Sequence, residues 1–310
     1  MRSFAPGASL IDLRFQGHAE YIACYVLETA GGLVLVDPGP SSTRPALEEG
    51  LRLAGLSLDS VTDLLLTHIH LDHAGATGSI VRDHPDIRVH VHGRGARHMA
   101  SPARLLASAT RLYGDRMQSL WGEFLAVPGD NLNVLEGGET LSLDGRQLLV
   151  EYTPGHASHH VSYFDPSCGV AWVGDTLGIR IDNRPYVMPV MPPPDIHPLL
   201  WAESHAKIRA WSPTILCPTH FGPARPAVEH IDEHEQRLHE WATLIERQVT
   251  EGVDPAAAAE RFRDQIAAEL VDKLGSEDSL AYSAGGGIDD SWHGMARYFR
   301  KLQSKGTIAP

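Results

Sequence analysis

THIHLDH, residues 67–73, places His68, His70, Asp72 and His73 within six residues, directly after the apolar run DLLLT (63–67). Alternate residues of an extended segment point the same way, so His68, His70 and Asp72 are predicted on one face and His73 on another. One short segment can then feed two adjacent ions. Imidazole and carboxylate suit zinc, and they equally suit iron or manganese.

Partners of the right kind recur along the chain. His156 follows Pro154-Gly155, Asp175 closes the run GVAWVGD, and His220 follows Cys217-Pro218-Thr219. Taken singly, each also reads as a turn residue or a helix cap. Together with THIHLDH they put His or Asp at four strand ends, and loops at strand ends are where sheet proteins commonly assemble sites. Asp37, in LVLVDPG, ends another strand; it reads equally well as a turn carboxylate and as a group orienting a metal ligand. His159 and His160 belong to no such pattern and read as strand-entry residues, ahead of a role supporting the ligands from behind.

Strands are predicted at 10–15, 21–28, 33–37, 87–92, 160–165, 169–175 and 214–220. The Ala-Gly-Gly connection at 30–32 and the Asp-Gly of TLSLDGRQLLVEYT (140–153) mark hairpins. The alternation in IRVHVH predicts one face in and one out, which accounts for His90 and His92 without chemistry. Helical spacing appears at 45–56, in AGATGSIVRDH, over 93–126 and at 197–211. The proline-rich connection 178–195 reads as irregular. Within and beyond it, Met188, Met191, Ile196 and Trp201 suit either the wall of an apolar pocket or packing against the C-terminal region. From Pro226 the texture becomes helical throughout, with further helices at 255–274 and 289–302, so the division is 1–225 and 226–310.

The chain has 310 residues, 43% hydrophobic and 21% charged, an ordinary globular balance. Its net charge of −13 argues against a nucleic-acid partner. No run of eighteen apolar residues suggests a membrane span, and the N-terminus lacks a signal-peptide core, so a cytoplasmic location is expected. Cys24, Cys168 and Cys217 form no CxxC pairing and suggest buried apolar residues.

THIHLDH, PGH, GD and THFGP, in that order, resemble the metallo-β-lactamase superfamily over roughly residues 9–225. The resemblance implies an α+β fold, an αββα sandwich of two mixed sheets flanked by helices, here with a helical C-terminal extension. It implies that His68, His70 and His156 hold one metal, that Asp72, His73 and His220 hold the second, and that Asp175 bridges them. The function implied is a binuclear hydrolase, zinc-dependent with iron or manganese as alternatives. A bridging hydroxide would attack the carbonyl of a small ester, thioester or lactone, with Asp72 as the catalytic residue orienting the nucleophile or passing a proton to the leaving group.

Glyoxalase II-like thioesterases match best in ligands and plan, although GDTLGIRID departs from their usual continuation and lysine is scarce where a thiol would bind. Lactonases share the ligand set and often use a tyrosine, for which Tyr186 is the candidate. Arg180 and Arg184 are candidates to meet an anionic substrate. A mononuclear iron persulfide dioxygenase, with His68, His156 and Asp175 as its ligands, and a phosphodiester hydrolase are the alternatives, followed by a noncatalytic metal-binding scaffold.

Overall fold

The computed structural model describes residues 1–285 and 287–306. Its first sheet contains β1 (Arg2–Ala5), β2 (Ala8–Asp12), β3 (Ala23–Glu28), β4 (Leu33–Val36), β5 (Val61–Leu65), β6 (Arg88–His92) and β7 (Leu132–Leu135), hydrogen-bonded in that order. Pairing is antiparallel as far as β4 and parallel beyond it. The second sheet is built from β8 (Thr140–Leu143), β9 (Arg146–Tyr152), β10 (Val161–Asp165), β11 (Val170–Trp172) and β12 (Ile215–Cys217). These pair antiparallel except for the parallel β11 and β12.

Between the strands lie α1 (Arg44–Leu53), α2 (Leu71–Ala74), α3 (Thr77–Asp83), α4 (Gly93–Ala100), α5 (Ala103–Tyr113), α6 (Met117–Trp121) and α7 (Pro198–Ala210). The C-terminal region is α8 (Ala227–Thr250), α9 (Pro255–Leu274), α10 (Ser276–Gly285) and α11 (Ile288–Ser304).

Strand chemistry explains the layering. In β3, Ala23, Tyr25 and Leu27 face the second sheet, where they meet Leu148, Val150, Tyr163 and Trp172. Cys24 and Val26 face the other way, onto Leu47 and Leu51 of α1 and Ile80 of α3. Both faces of the strand are covered, so its sequence is apolar without interruption. The outer face of the second sheet, Phe164, Ala171 and Leu216, packs on Ile208 of α7 and on Ala227 and Ile231 of α8. Helix, sheet, sheet and helix therefore stack as four layers, the expected αββα sandwich.

The predicted one-sided β6 is corrected. His90 and His92 are both buried, because β6 runs between β5 and β7 with helices over it. His90 offsets the cost of burial by pairing with Asp63 at 2.7 Å and Asn133 at 2.8 Å. Met188, Met191, Ile196 and Trp201 are also all buried, in a core shared with Trp241, Phe262 and Trp292 of the C-terminal helices. Packing against the C-terminal region is the reading that holds.

Candidate metal centre

The ends of β4, β5, β9, β11 and β12 meet at one edge of the sandwich. Cross-sheet hydrogen bonds fix them there: Tyr163 Oη donates to Leu66 O at 2.9 Å, Val161 N to Thr67 O at 2.8 Å, and Tyr25 Oη to Pro218 O at 2.6 Å. Each contributes about 0.5–1.5 kcal/mol net, but their main effect is to lock the loops that follow into register.

THIHLDH is extended only as far as His70. Leu71 begins α2, so Asp72 and His73 lie in a helical first turn and the predicted alternation stops two residues short of Asp72. All seven side chains nevertheless converge. Ligand atoms of His68, His70 and His156 lie within 4.8 Å of one another, as do those of Asp72, His73 and His220, and those of His68, His73 and Asp175. Asp175 Oδ2 is 3.4 Å from His156 Nε2, while its Oδ1 is 3.2 Å from His73 Nε2 and 3.7 Å from His220 Nε2. One carboxylate thus turns an oxygen toward each group of three.

Hydrogen bonding fixes which ring nitrogens face inward. Thr67 Oγ1 gives its only proton to Asp37 Oδ2 at 2.7 Å, so it accepts from His68 Nδ1 at 3.1 Å and leaves His68 Nε2 as a lone pair. The Nδ1 protons of His156, His220 and His73 go to Val190 O, Tyr21 O and Asp37 Oδ2, each at 2.8 Å. His68 Nε2 and His156 Nε2 stand 2.9 and 3.0 Å from His70 Nδ1, and a single proton on that atom cannot serve both as a strong linear bond. His73 Nε2 and Asp175 Oδ1 are buried without a hydrogen-bond partner. Inward lone pairs, orphaned buried atoms and two carboxylates are what a pair of divalent cations would satisfy, so the donor set fits two ions.

Electrostatics divide the site in two. Burial pushes His70 down to about 3 and holds His68 and His156 below the ordinary histidine value. Burial acts the same way on His73 and His220, but Asp175 and Asp72 outweigh it and raise both. Burial alone would raise Asp72 and Asp175. Against it, His73 and His220 bring Asp72 down to about 2, and His73, His220 and His156 hold Asp175 well below the usual carboxylate range. The group of Asp72, His73 and His220 would therefore release protons on taking up a cation.

Asp37 binds the loops together. Its Oδ1 accepts from Thr67 N at 2.8 Å, and its Oδ2 accepts from Thr67 Oγ1, His73 Nδ1 and Thr219 Oγ1 at 2.7–2.8 Å. His160 is buried beside them; its Nε2 accepts from Asp175 N at 3.3 Å and its Nδ1 meets Thr153 and Thr176 hydroxyls, each at 3.0 Å.

A cavity of ≈ 650 Å³ opens over the site, and His70, Asp72, His156, Asp175 and His220 all reach it. Three sequence candidates are not there. Tyr186 is fully buried, with Arg237 3.8 Å above its ring, and it does not line this cavity. Arg184 pairs with Glu20 and Asp278, and Arg180 turns back to Arg184 O. The tyrosines that do line the cavity are Tyr21 and Tyr113, the latter on α5. Burial, reinforced by Asp72 and Asp290, pushes Tyr113 above its ordinary value. Neither tyrosine sits in a motif, which is why the sequence does not single them out.

Among the described residues no helix is long and apolar enough to cross a membrane. A family profile described as "Metallo-beta-lactamase superfamily" matches residues 19–220. Among curated proteins, "Metallo-beta-lactamase fold-containing protein ST1585" of Sulfurisphaera tokodaii is 26% identical over 256 residues, which is 81% of this chain and 90% of that one. "Hydroxyacylglutathione hydrolase" of Legionella pneumophila is 26% identical over 160 residues, 51% of this chain, and the match spans about half (47%) of that relative's length. Among solved structures, a metallo-beta-lactamase family protein of Thermus thermophilus superposes with a TM-score of 0.67 at 22% identity, covering 97% of this chain and 94% of that one.

Proposed function

The chain belongs to the metallo-β-lactamase superfamily, and from that premise we propose that it is a metal-dependent hydrolase of acyl esters, thioesters or lactones. His68, His70 and His156 would hold one ion, Asp72, His73 and His220 the other, and Asp175 would serve both. Zinc is the first expectation, with iron and manganese compatible with the same donors. Two such ions, when bound, make hydroxide available near neutral pH and polarise a carbonyl oxygen.

The observation that carries this reading is the facing of the two oxygens of Asp175 toward separate groups of three. A mononuclear site needs only one of them. Asp72 is the carboxylate with the larger solvent exposure, its side chain 24% accessible against 3% for Asp175, and it lines the cavity. That exposure supports a role in which Asp72 would accept a proton from the attacking water and orient its oxygen toward the acyl carbon. In the balanced reaction a C–O bond forms, the C–S or C–O bond to the leaving group breaks, and the water's protons pass to the leaving thiolate or alkoxide and to solvent. No serine or cysteine nucleophile is required. Hydroxyacylglutathione hydrolases among the relatives support an acyl rather than a phosphoryl substrate.

The test is metal analysis of the purified protein paired with turnover of a panel of thioesters, lactones, aryl esters and phosphodiesters. Two ions per chain with acyl turnover is the expected result. One iron per chain with oxygen uptake on a persulfide would replace hydrolysis with a dioxygenase. Asp72→Asn is expected to cut kcat on the best acyl substrate by about 10²–10⁴, and full activity with both ions retained would remove Asp72 from the chemistry.

A further inference from the structure

The 29 residues from Arg88 to Arg116 carry six arginines and a single acidic residue, Asp115, in a chain whose net charge is −13. Four of those arginines, Arg94, Arg97, Arg104 and Arg116, line the cavity over the metal centre. Several arginines elsewhere in the fold are paired: Arg44, Arg146, Arg184, Arg209 and Arg237 all reach carboxylates. Among the described residues, none of the four cavity arginines has a carboxylate within 4.0 Å.

The four are also concentrated. Arg97 Nε lies 3.3 Å from His98 Nε2, and burial, followed by the charges of Arg97 and Arg104, holds His98 below its ordinary value. Arg94 sits one helical turn from Arg97, at the start of α4, with its guanidinium 5.8 Å from the centre of the Tyr152 ring. The four arginines are exposed, whereas Leu105, Ala109 and Leu120, which give the cavity apolar surface, are partly or fully buried, and the ligand candidates His156, Asp175 and His220 that line it are buried. Asp195 and Asp290, which also line the cavity, are outnumbered; Asp195 already accepts from Ser158 N at 3.0 Å, and Asp290 feels the charge of Arg116.

Exposed arginines without carboxylate partners, apolar surface and buried ligand candidates in one cavity match an elongated substrate whose scissile acyl group is at one end and whose negative charge is at the other. Several guanidiniums fit a polyanion better than a single carboxylate, because phosphate oxygens accept bidentate bonds from more than one arginine. We propose that Arg94, Arg97, Arg104 and Arg116 recognise phosphate groups on the thiol part of an acyl thioester, the chemical class of coenzyme A thioesters. The inference rests on the hydrolytic reading for the acyl end and on the exposed arginines alone for the phosphate end.

The experiment compares one acyl group carried on coenzyme A, on glutathione and on N-acetylcysteamine, with metal-loaded full-length protein. Arg97→Ala/Arg104→Ala is the test variant and Arg111→Ala, off the cavity on the same helix as Arg104, the control. Alanine suits exposed helical positions, so the fold is retained. Wild type is expected to prefer the coenzyme A thioester, and the double variant to raise its KM at least about tenfold with little change in kcat. Added salt should weaken the preference. Calorimetry with adenosine 3′,5′-bisphosphate gives a readout independent of turnover, with binding by wild type and the control and loss in the double variant.

Equal kcat/KM on the charged and neutral thioesters, untouched by the substitutions, overturns the inference while leaving hydrolysis standing. An arginine-dependent preference for the glutathione thioester overturns the phosphate assignment. Arginine-dependent bisphosphate binding without turnover of any acyl compound supports the phosphate assignment and sinks the hydrolytic reading instead.

Discussion

Asp37 has the left-handed backbone conformation, φ 51°, which costs a non-glycine residue on the order of 1 kcal/mol, least for Asp and Asn. The conformation persists because four hydrogen bonds, from Thr67, His73 and Thr219, converge on its carboxylate. Asp37→Ala leaves those three residues without that acceptor and frees the His73 ring to turn. Metal affinity is expected to fall by about 10–100-fold, as measured by competition with a chromogenic chelator; unchanged affinity would confine Asp37 to turn formation. The sequence leaves the two roles of Asp37 balanced, since a strand-end carboxylate looks the same whichever groups later approach it. Tyr186 shows the opposite failure. A tyrosine in an irregular loop suggests a cleft, but Tyr282 Oη donates to its carbonyl at 2.7 Å and Arg237 covers its ring, contacts made by helices far along the chain.

At the scale of elements, the loop after β9 shows why a ligand can be exact in position without belonging to a regular structure. Gly155, φ 147°, approaches α7 so closely that a Cβ there would collide with the Cβ and Cγ of Trp201. Gly155→Ala is expected to destabilise the fold by about 1–3 kcal/mol through overpacking and backbone strain and to displace His156. A lower Tm, together with reduced metal content, would show the two effects in one variant; a native Tm would mean that the loop absorbs the methyl. Gly174 plays the same part for Asp175, packed on Thr67 and His160. Legibility differs between elements for a physical reason. Local order, such as the hairpin at Asp144-Gly145 and the ligand motifs, is written in adjacent residues. The burial of β6 depends on β7 and on the pairing of His90 with Asp63, and no short window contains both.

For the whole molecule, acid is the condition that separates packing from metal chemistry. His205 and His230 are buried behind the site, and burial pushes both down to about 4 from an ordinary 6.5. The unfolded chain binds protons on them between those pH values and the folded chain does not. Their contribution to stability is therefore complete above pH 6.5 and is lost as the pH falls toward 4, at most on the order of 3 kcal/mol per group. Chelated protein is expected to show a Tm that drops steeply over that window. His230→Gln, whose amide reaches the Nε2 position and keeps a donor for Leu177 O, should flatten the drop; an unchanged slope would locate the acid sensitivity elsewhere. Independently, metal affinity should weaken on acidification, because His73 and His220 must lose protons to bind.

The αββα layers are what the resemblance carried by the motifs implies, but the union of the C-terminal helices with the segment 179–201 in one core is not. Helical periodicity reports that a face is apolar and is silent about what will cover it. Here Ser291 of α11 accepts from Met191 N at 3.1 Å, one residue from the Val190 carbonyl that orients His156. Ser291→Ala strands a buried amide, with an expected cost of about 1–3 kcal/mol and a severalfold loss of metal affinity in the same chelator competition; an unaltered affinity would show that the loop holds His156 by itself.

That link has a consequence for biogenesis. A ribosome reads out every strand but β12 and six of the seven candidate ligands before residue 176, and the last ligand at residue 220, yet the support behind His156 emerges only with α11. Nascent chains halted between residues 220 and 288 would carry the full set of donors and still hold ions loosely, so firm loading is expected only once α11 has docked.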